Sequence, residues 1–244
     1  MLLPLVVLAG CGTGSSAIRA GALSITALKV DYANTFVLPT TDGKVVLVDA
    51  GFPKNAAKLE QLLTDAGYAP SQVTAIILTH GHYDHAGAAR HFQEHYGTRI
   101  VAGRGDQAML ARGTHDPICP TGFLGRQRYK QDAAGTFPPV TPDVLIDAPT
   151  PLQSIAALEG EIVPLPSHTP GSLIVKVGDA VLVGDLFRGS IVGSSAEVHF
   201  YICDLPGNHR DIRRLLDTIA PEATQFLPGH FGPIPRKSVD KAFP

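Results

Sequence analysis

Thr79-His80-Gly81-His82-Tyr83-Asp84-His85-Ala86-Gly87 places three histidines and an aspartate within six consecutive positions. Nitrogen and oxygen donors packed this closely suit zinc or another first-row metal ion. The strongly apolar run 73–78 leads into the stretch and predicts a buried strand. Ala86-Gly87-Ala88-Ala89 follows and predicts the start of a helix. The donors therefore fall on the turn at a strand's C-terminal end. Sites in α/β folds sit there because the scaffold fixes the loop while leaving it open to solvent. In an extended turn, alternate residues such as His80 and His82 point the same way and can share one ion. Asp84 and His85 come just after the bend and could serve a second. A solvated polar loop that happens to be rich in histidine is the plainer alternative, but four donors set against a buried strand argue against it.

Outward from this stretch the chain reads as alternating strands and helices. Upstream, 23–30, 34–38 and 44–48 read as strands of a meander, with an Asp42-Gly43 turn signal before the last. Residues 53–66 carry helical spacing through Ala57, Leu59, Leu62 and Leu63, with Gly67 as a stop. Downstream, 87–96 predicts a helix ending at Gly97. His91 and His95 lie four apart on it, a metal-compatible spacing, but Arg90, Gln93 and Glu94 around them point to a solvated face. A short strand at 99–102 and a short helix at 106–112 come next. Residues 113–142 are rich in Gly and Pro and lack periodicity, and so long an irregular stretch usually covers a site. It holds His115, Asp116, Cys119, Phe123, Arg126, Arg128 and Tyr129, and reads as a lid or pocket wall.

The second half repeats the pattern, with strands at 161–165, 172–177 and 180–183. Residues 208–219 put Ile212, Leu215, Leu216 and Ile219 on one helical stripe, leaving Arg210, Arg213 and Arg214 outside as a solvated face. A last buried strand is expected at 224–227. The 244 residues, 44% apolar and 17% charged, suit one globular domain with a sizeable core. A formal net charge of −2 gives no electrostatic reason to expect a nucleic-acid partner.

Residues 1–20 are set apart from the domain at 21–244. Leu2-Leu3-Pro4-Leu5-Val6-Val7-Leu8 is too short to span a bilayer. It ends in Leu8-Ala9-Gly10-Cys11, which resembles a bacterial lipoprotein lipobox with Cys11 as the lipidated residue, although no Lys or Arg precedes the run. Residues 12–16 would then be a flexible tether. This reading expects a signal peptide and a periplasmic or membrane-anchored lipoprotein; without it the protein is cytoplasmic. An N-terminal strand is the alternative, against which stand Gly10, Gly12 and Gly14. With Cys11 lipidated, Cys119 and Cys203 remain as an even pair that either bridges or stays as two buried thiols.

His80-Gly81-His82-Tyr83-Asp84-His85 resembles the HxHxDH signature of the metallo-β-lactamase-fold hydrolases. The other elements of that pattern follow in order: Asp49 after 45–48, His168 before Thr169-Pro170-Gly171, Asp185 after 181–184, and His230 after Leu227-Pro228-Gly229. The resemblance spans Asp49 to His230 and implies a four-layer αββα sandwich of the α/β class. It implies two divalent ions, most readily zinc, with iron or manganese as alternatives. His80, His82 and His168 would hold the first, Asp84, His85 and His230 the second, and Asp185 would bridge them. Asp49 would support a ligand or its loop from behind. Two cations about 3.5–4 Å apart share a water and lower its pKa to about 7, giving a bridging hydroxide that attacks an acyl or phosphoryl centre. Asp84 could orient that nucleophile or carry its proton, so Asp84 and Asp185 are the catalytic candidates. Phe123, Tyr129 and His199 are named as pocket candidates.

Departures within the family narrow the reaction. Flavodiiron oxidoreductases carry glutamate at the place of His82, so His82 favours hydrolysis. The β-lactamases of this fold lack the bridging aspartate, which weakens that reading without removing it. The helical glutathione-binding domain of glyoxalase II is not expected after His230, and the exosite and basic surface of the nucleic-acid-processing branches are not visible. The expected function is hydrolysis of a small ester, lactone or phosphodiester. An iron-dependent redox enzyme similar to the persulfide dioxygenases, which share HxHxDH, is the alternative.

Overall fold

The computed structural model describes residues 13–244. The lipobox at 8–11 lies outside the described residues. Strands β1 (Gly14–Ala20), β2 (Leu23–Val30), β3 (Ala33–Pro39), β4 (Val45–Val48), β5 (Val73–Ile77), β6 (Arg99–Gly103) and β7 (Val144–Ile146) form a seven-stranded sheet in sequence order. The pairs up to β3–β4 are antiparallel, and from β4 onward they are parallel. The change follows from the connections. Tight turns join the early strands, whereas α1 (Ala56–Asp65) and α2 (Ala89–Tyr96) carry the chain back between β4, β5 and β6.

After α3 (Gln107–Arg112) and α4 (Gly122–Ala133) comes the second sheet. Its strands are β8 (Thr150–Pro151), β9 (Glu161–Pro164), β10 (Leu173–Val177) and β11 (Ala180–Gly184). A two-stranded ribbon of β12 (Arg188–Gly189) and β13 (Ala196–Glu197) follows, then α5 (Leu205–Arg214), β14 (Gln225–Pro228), β15 (Ile234–Pro235) and α6 (Arg236–Ala242). The spatial order is β15-β14-β11-β10-β9-β8, with β14 parallel to β11 across the α5 crossover.

Strand alternation produces the layers. In β4, Val46 and Val48 face the space between the sheets with Phe36, Ile77, Val175 and Leu182, while Val45 and Leu47 face Leu59, Leu63 and Phe92 of the helices. On the far side, Val181, Val183 and Phe226 pack against Ile212, Leu215, Leu216 and Val239. Three apolar layers separate four of secondary structure, so the molecule is an αββα sandwich. Two sheets, each with one face on the other and one face under helices, require strands apolar on both sides, as β4 and β11 are.

The structure changes two of the sequence expectations and decides a third point that the sequence left open. Gly14–Ala20 is an edge strand paired with β2 from Gly14–Lys29 to Ala20–Leu23, so residues 14–16 are not a tether and the fold begins before Gly21. Ile18 and Ala20 alternate into the inter-sheet core, which holds the strand in place. The stretch 113–142 is not irregular throughout, because it contains the twelve-residue α4. That helix buries only Gly125 and Asp132, so it carries no apolar stripe to read. Cys119 and Cys203, left open as bridge or free thiols, form a disulfide across a separation of 84 residues. Among the described residues no helix is long and apolar enough to cross a membrane.

Candidate metal centre

The loop between β5 and α2 is shaped by carboxylates that carry no part of the histidine motif. Asp49 sits just past β4 in the left-handed region, φ 64°, which an aspartate tolerates better than most residues. Its Oδ1 accepts from the Thr79 backbone N–H at 2.7 Å, and the Thr79 hydroxyl lies 2.8 Å from Oδ2. Oδ2 also lies 2.8 Å from His85 Nδ1. Asp106, just ahead of α3, accepts from Gly81 N–H at 2.8 Å, Thr169 Oγ1 at 2.8 Å and Gly171 N–H at 2.8 Å. One buried carboxylate thus ties the loop of His80 and His82 to the loop of His168. Burial pushes the Asp106 carboxyl up, against those three donors. The stretch Arg104-Gly105-Asp106 offers no sequence signal for this role.

Outer partners fix which ring nitrogen faces the centre. A carboxylate or carbonyl oxygen can only accept, so Nδ1 donates in His85 to Asp49, in His168 to Tyr201 O at 2.9 Å and in His230 to Tyr32 O at 2.8 Å. Each Nε2 is then left with a lone pair turned inward. His80 follows the same rule, its Nδ1 lying 3.2 Å from the Thr79 hydroxyl and its Nε2 buried with no partner.

These lone pairs converge on one carboxylate. Asp185 Oδ2 lies 3.6 Å from His80 Nε2, 3.4 Å from His85 Nε2, 3.6 Å from His168 Nε2 and 3.4 Å from His230 Nε2. Asp84 Oδ2 lies 3.5 Å from His230 Nε2. His82 turns Nδ1 inward, 3.1 Å from His168 Nε2, and His85 Nε2 stands 3.4 Å from His230 Nε2. Lone pairs this close repel unless a cation lies among them, and the Asp185 Oδ1 acceptor is likewise buried without a partner. The donor set fits metal ions. His80, His82 and His168 could hold one, and Asp84, His85 and His230 another, with Asp185 beside both. Gly229 leaves room for this: a Cβ there would lie 2.4 Å from the His85 ring and 2.7 Å from Asp185 Oδ1.

Burial and mutual repulsion hold His80 and His82 well below the usual histidine range, and burial holds His168 at about 3. In His85 and His230 burial is outweighed by the Asp185 carboxylate, with Asp84 assisting in both and Asp49 in His85, and both are raised. The carboxylates call for positive charge among these rings, which either protons or a metal ion on the Nε2 lone pairs would supply. Asp185 itself is driven well below the carboxylate range, because His199, His230 and His85 outweigh its burial.

His199, expected only as a pocket residue, reaches the centre with Nε2 at 3.0 Å from Asp185 Oδ2. It differs from the other histidines. The Tyr201 backbone N–H donates to its Nδ1 at 3.2 Å, while its Nε2 is buried without a hydrogen-bond partner, and with His168 and Asp185 it forms a further group that could hold an ion. Nothing in the stretch 190–203 signals this contact. His115 packs its ring 4.6 Å from His82 and lines the same cavity. His91 stands apart from the centre, 2.7 Å from Glu60 on the α2 surface.

The centre opens into a cavity of about 200 Å³. One wall is polar: Arg128 meets Asp132 at 3.0 Å and Tyr32 Oη at 2.7 Å, and Tyr201 Oη donates to Asp132 at 2.6 Å. Burial pushes the Tyr32 phenol up to about 12 and also raises those of Tyr83 and Tyr201. Of the other pocket candidates, Phe123 lines an adjoining groove and Tyr129 lies on the α4 surface outside both spaces.

A family model described as the metallo-beta-lactamase superfamily matches residues 28–230. "Probable metallo-hydrolase YflN" of Bacillus subtilis (strain 168) is 25% identical over 241 residues, covering 89% of this chain and 87% of the relative. "Probable metallo-hydrolase YqgX" of the same organism is 30% identical over 206 residues, covering 81% and 84%. Among solved structures, BJP-1, a subclass B3 metallo-beta-lactamase of Bradyrhizobium japonicum, superposes with a TM-score of 0.64 at 16% identity, covering 92% of this chain and 81% of that one.

Proposed function

We propose that this chain, which belongs to the metallo-beta-lactamase superfamily and is a metallohydrolase, uses two ions to cleave a small ester, lactone or phosphodiester. The observation that carries the reading is the convergence of four histidine Nε2 lone pairs on Asp185, with every opposite Nδ1 committed to an outer acceptor. Such a set is made for cations. The chemistry a pair of divalent ions supplies there is acidification of a water and polarisation of an acyl or phosphoryl oxygen.

The protein's own groups would do the rest. Asp185 places negative charge between the two ligand sets, which offsets repulsion between the ions they hold. Asp84 lines the cavity, as Asp185 does, and would face a bound substrate. It can take the proton of the attacking water and return it to the leaving oxygen. His199 packs its Nε2 3.0 Å from Asp185 Oδ2 and limits the space in which that carboxylate can turn. The phenols of Tyr32 and Tyr83 stay protonated at neutral pH and can donate to a developing oxyanion.

Elemental analysis with a panel of esters, lactones and phosphodiesters tests this reading. Two ions per chain and turnover that depends on them are expected, with both reduced in His82→Ala and Asp185→Ala. Full occupancy and full turnover in His82→Ala would sink it. Iron in the purified protein, with oxygen consumption in place of hydrolysis, would transfer the site to redox chemistry. The Cys119–Cys203 bridge supports an oxidising compartment, in line with the export reading of residues 8–11. Mass spectrometry of the mature N-terminus decides that: a lipid on Cys11 is expected, and an unmodified Met1 would overturn it.

A further inference from the structure

The six large apolar side chains most exposed among the described residues are not scattered. Phe123 (70%), Leu124 (42%), Ile191 (40%) and Leu205 (39%) line the metal cavity or the groove beside it, Val192 (81%) follows Ile191 in the chain, and Tyr129 lies elsewhere. Clusters of this kind mark a surface that binds something apolar. Leu124 and Ile191 both line the cavity, with Ile118, Phe200 and Phe231. Leu124 and Phe200 also line the adjoining groove with Phe123, Val198 and Leu205, so the two spaces adjoin at that pair.

Charges along this route are already matched. Arg128 is paired with Asp132, and Arg188 is paired with Glu197 while its guanidinium lies 4.1 Å over the Phe200 ring. No uncompensated charge remains beyond the metal ligands to select a charged tail. The apolar pair of α4 is also fixed in place. Gly125 packs so tightly that a Cβ would come 2.4 Å from Phe200 O, and Asp132 anchors the other end of the helix. Phe123 and Leu124 therefore cannot turn inward to bury themselves.

We propose that the substrate carries an apolar acyl or alkyl chain, which leaves the metal site between Leu124 and Phe200 and lies in the groove of Phe123 and Leu205. This rests on the hydrolase reading above. The occupant is the substrate's own tail because the groove adjoins the reaction cavity and shares Leu124 and Phe200 with it.

The test is a series of 4-nitrophenyl esters, from acetate through butanoate to octanoate and dodecanoate, on the metal-loaded enzyme. Each methylene buried in the groove should raise kcat/KM about two- to fourfold, so octanoate should exceed butanoate by at least about tenfold. Leu124→Asp and Phe123→Ser, both at exposed positions, should flatten this dependence by about tenfold or more. Tyr129→Ser, on the same helix but off the groove, should keep the wild-type slope. A flat series in the wild type, or an unchanged slope in Leu124→Asp, overturns the proposal. Binding to phosphatidylcholine vesicles that Phe123→Ser and Val192→Ser abolish, alongside a flat series, assigns the rim to a lipid surface instead and also overturns it. A dimer that Phe123→Ser dissociates, with a flat series, does the same for a second copy. If no ester is turned over, the hydrolase reading fails separately, and calorimetric titration with dodecanoate and butanoate decides the groove. Tighter binding of dodecanoate, lost in Leu124→Asp, supports it; equal binding overturns it.

Discussion

Asp49 gives the metal loop its support without touching the cavity. Its two oxygens serve the Thr79 backbone, the Thr79 hydroxyl and His85 Nδ1. Asp49→Ala strands a buried N–H on each partner and frees the His85 ring to rotate. Metal affinity should fall about 10- to 100-fold, as for other outer partners of ligating histidines, measured by competition against a chelator. Asp49→Asn presents one acceptor where three donors converge and should lie between; wild-type affinity in Asp49→Ala would remove the supporting role. Tyr32 gives a second expectation at this scale. Burial raises its phenol from about 10 to about 12 in the folded protein. A folded-state pKa above the unfolded one leaves its contribution to stability intact below about 10, and that contribution is lost as pH rises toward 12. Urea midpoints should therefore decline over that window, less steeply in Tyr32→Phe, and an equal decline in the variant would show that Tyr32 does not contribute. The donors of 80–85 are legible in the sequence because they sit in one short stretch behind an apolar strand. His168, Asp185 and His230 are isolated residues, readable only through the family pattern. His199 and Asp106 act through contacts that long-range folding makes, and no local spacing encodes those.

Helices and strands read well where an apolar period exists. α5 shows its stripe through Ile212, and β4 and β5 show theirs through continuous Val, Leu and Ile. α4 has no such period, and its Gly122 and Gly125 weigh against a helix. It forms because tertiary contacts replace propensity: Cys119 is bonded to Cys203, Pro120 pairs with Tyr201, and Asp132 accepts from Tyr201 and Arg128. Gly125 is the tight point. In an exposed helix Gly→Ala gains up to about 1 kcal/mol, but here the added Cβ would stand 2.4 Å from Phe200 O. Gly125→Ala should therefore destabilise the protein and raise hydrogen exchange across 122–133, leaving β2–β5 protected. A gain in melting temperature with unchanged exchange would mean that α4 is not held this way. β1 escapes sequence reading for a related reason, because only Ile18 and Ala20 of its seven residues are buried.

At the scale of the whole molecule, the centre is built from both sheets. His80, His82, Asp84 and His85 follow β5 of the first sheet, while His168, Asp185 and His230 follow β9, β11 and β14 of the second. Each prospective ion draws ligands from both sides, since His168 completes one set and His230 the other. Without a cation, five imidazoles and two carboxylates sit in a space from which water is largely removed, and the cost of that burial falls on the contact between the two sheets. Ions that bind only the folded state add RT ln(1 + [L]/Kd) to stability, about 2.7 kcal/mol at one hundred times Kd. Removing metal with a chelator should therefore lower the melting temperature, and zinc added back should restore it in proportion to the logarithm of its free concentration. His230→Ala takes a second-sheet ligand away and should shrink the zinc-dependent gain, whereas His91→Ala, paired with Glu60 on the surface of α2, should leave it whole. Calorimetric scans of the stripped and reloaded protein measure this. A melting temperature indifferent to zinc in the wild type would mean that the ligands from the two sheets do not share ions.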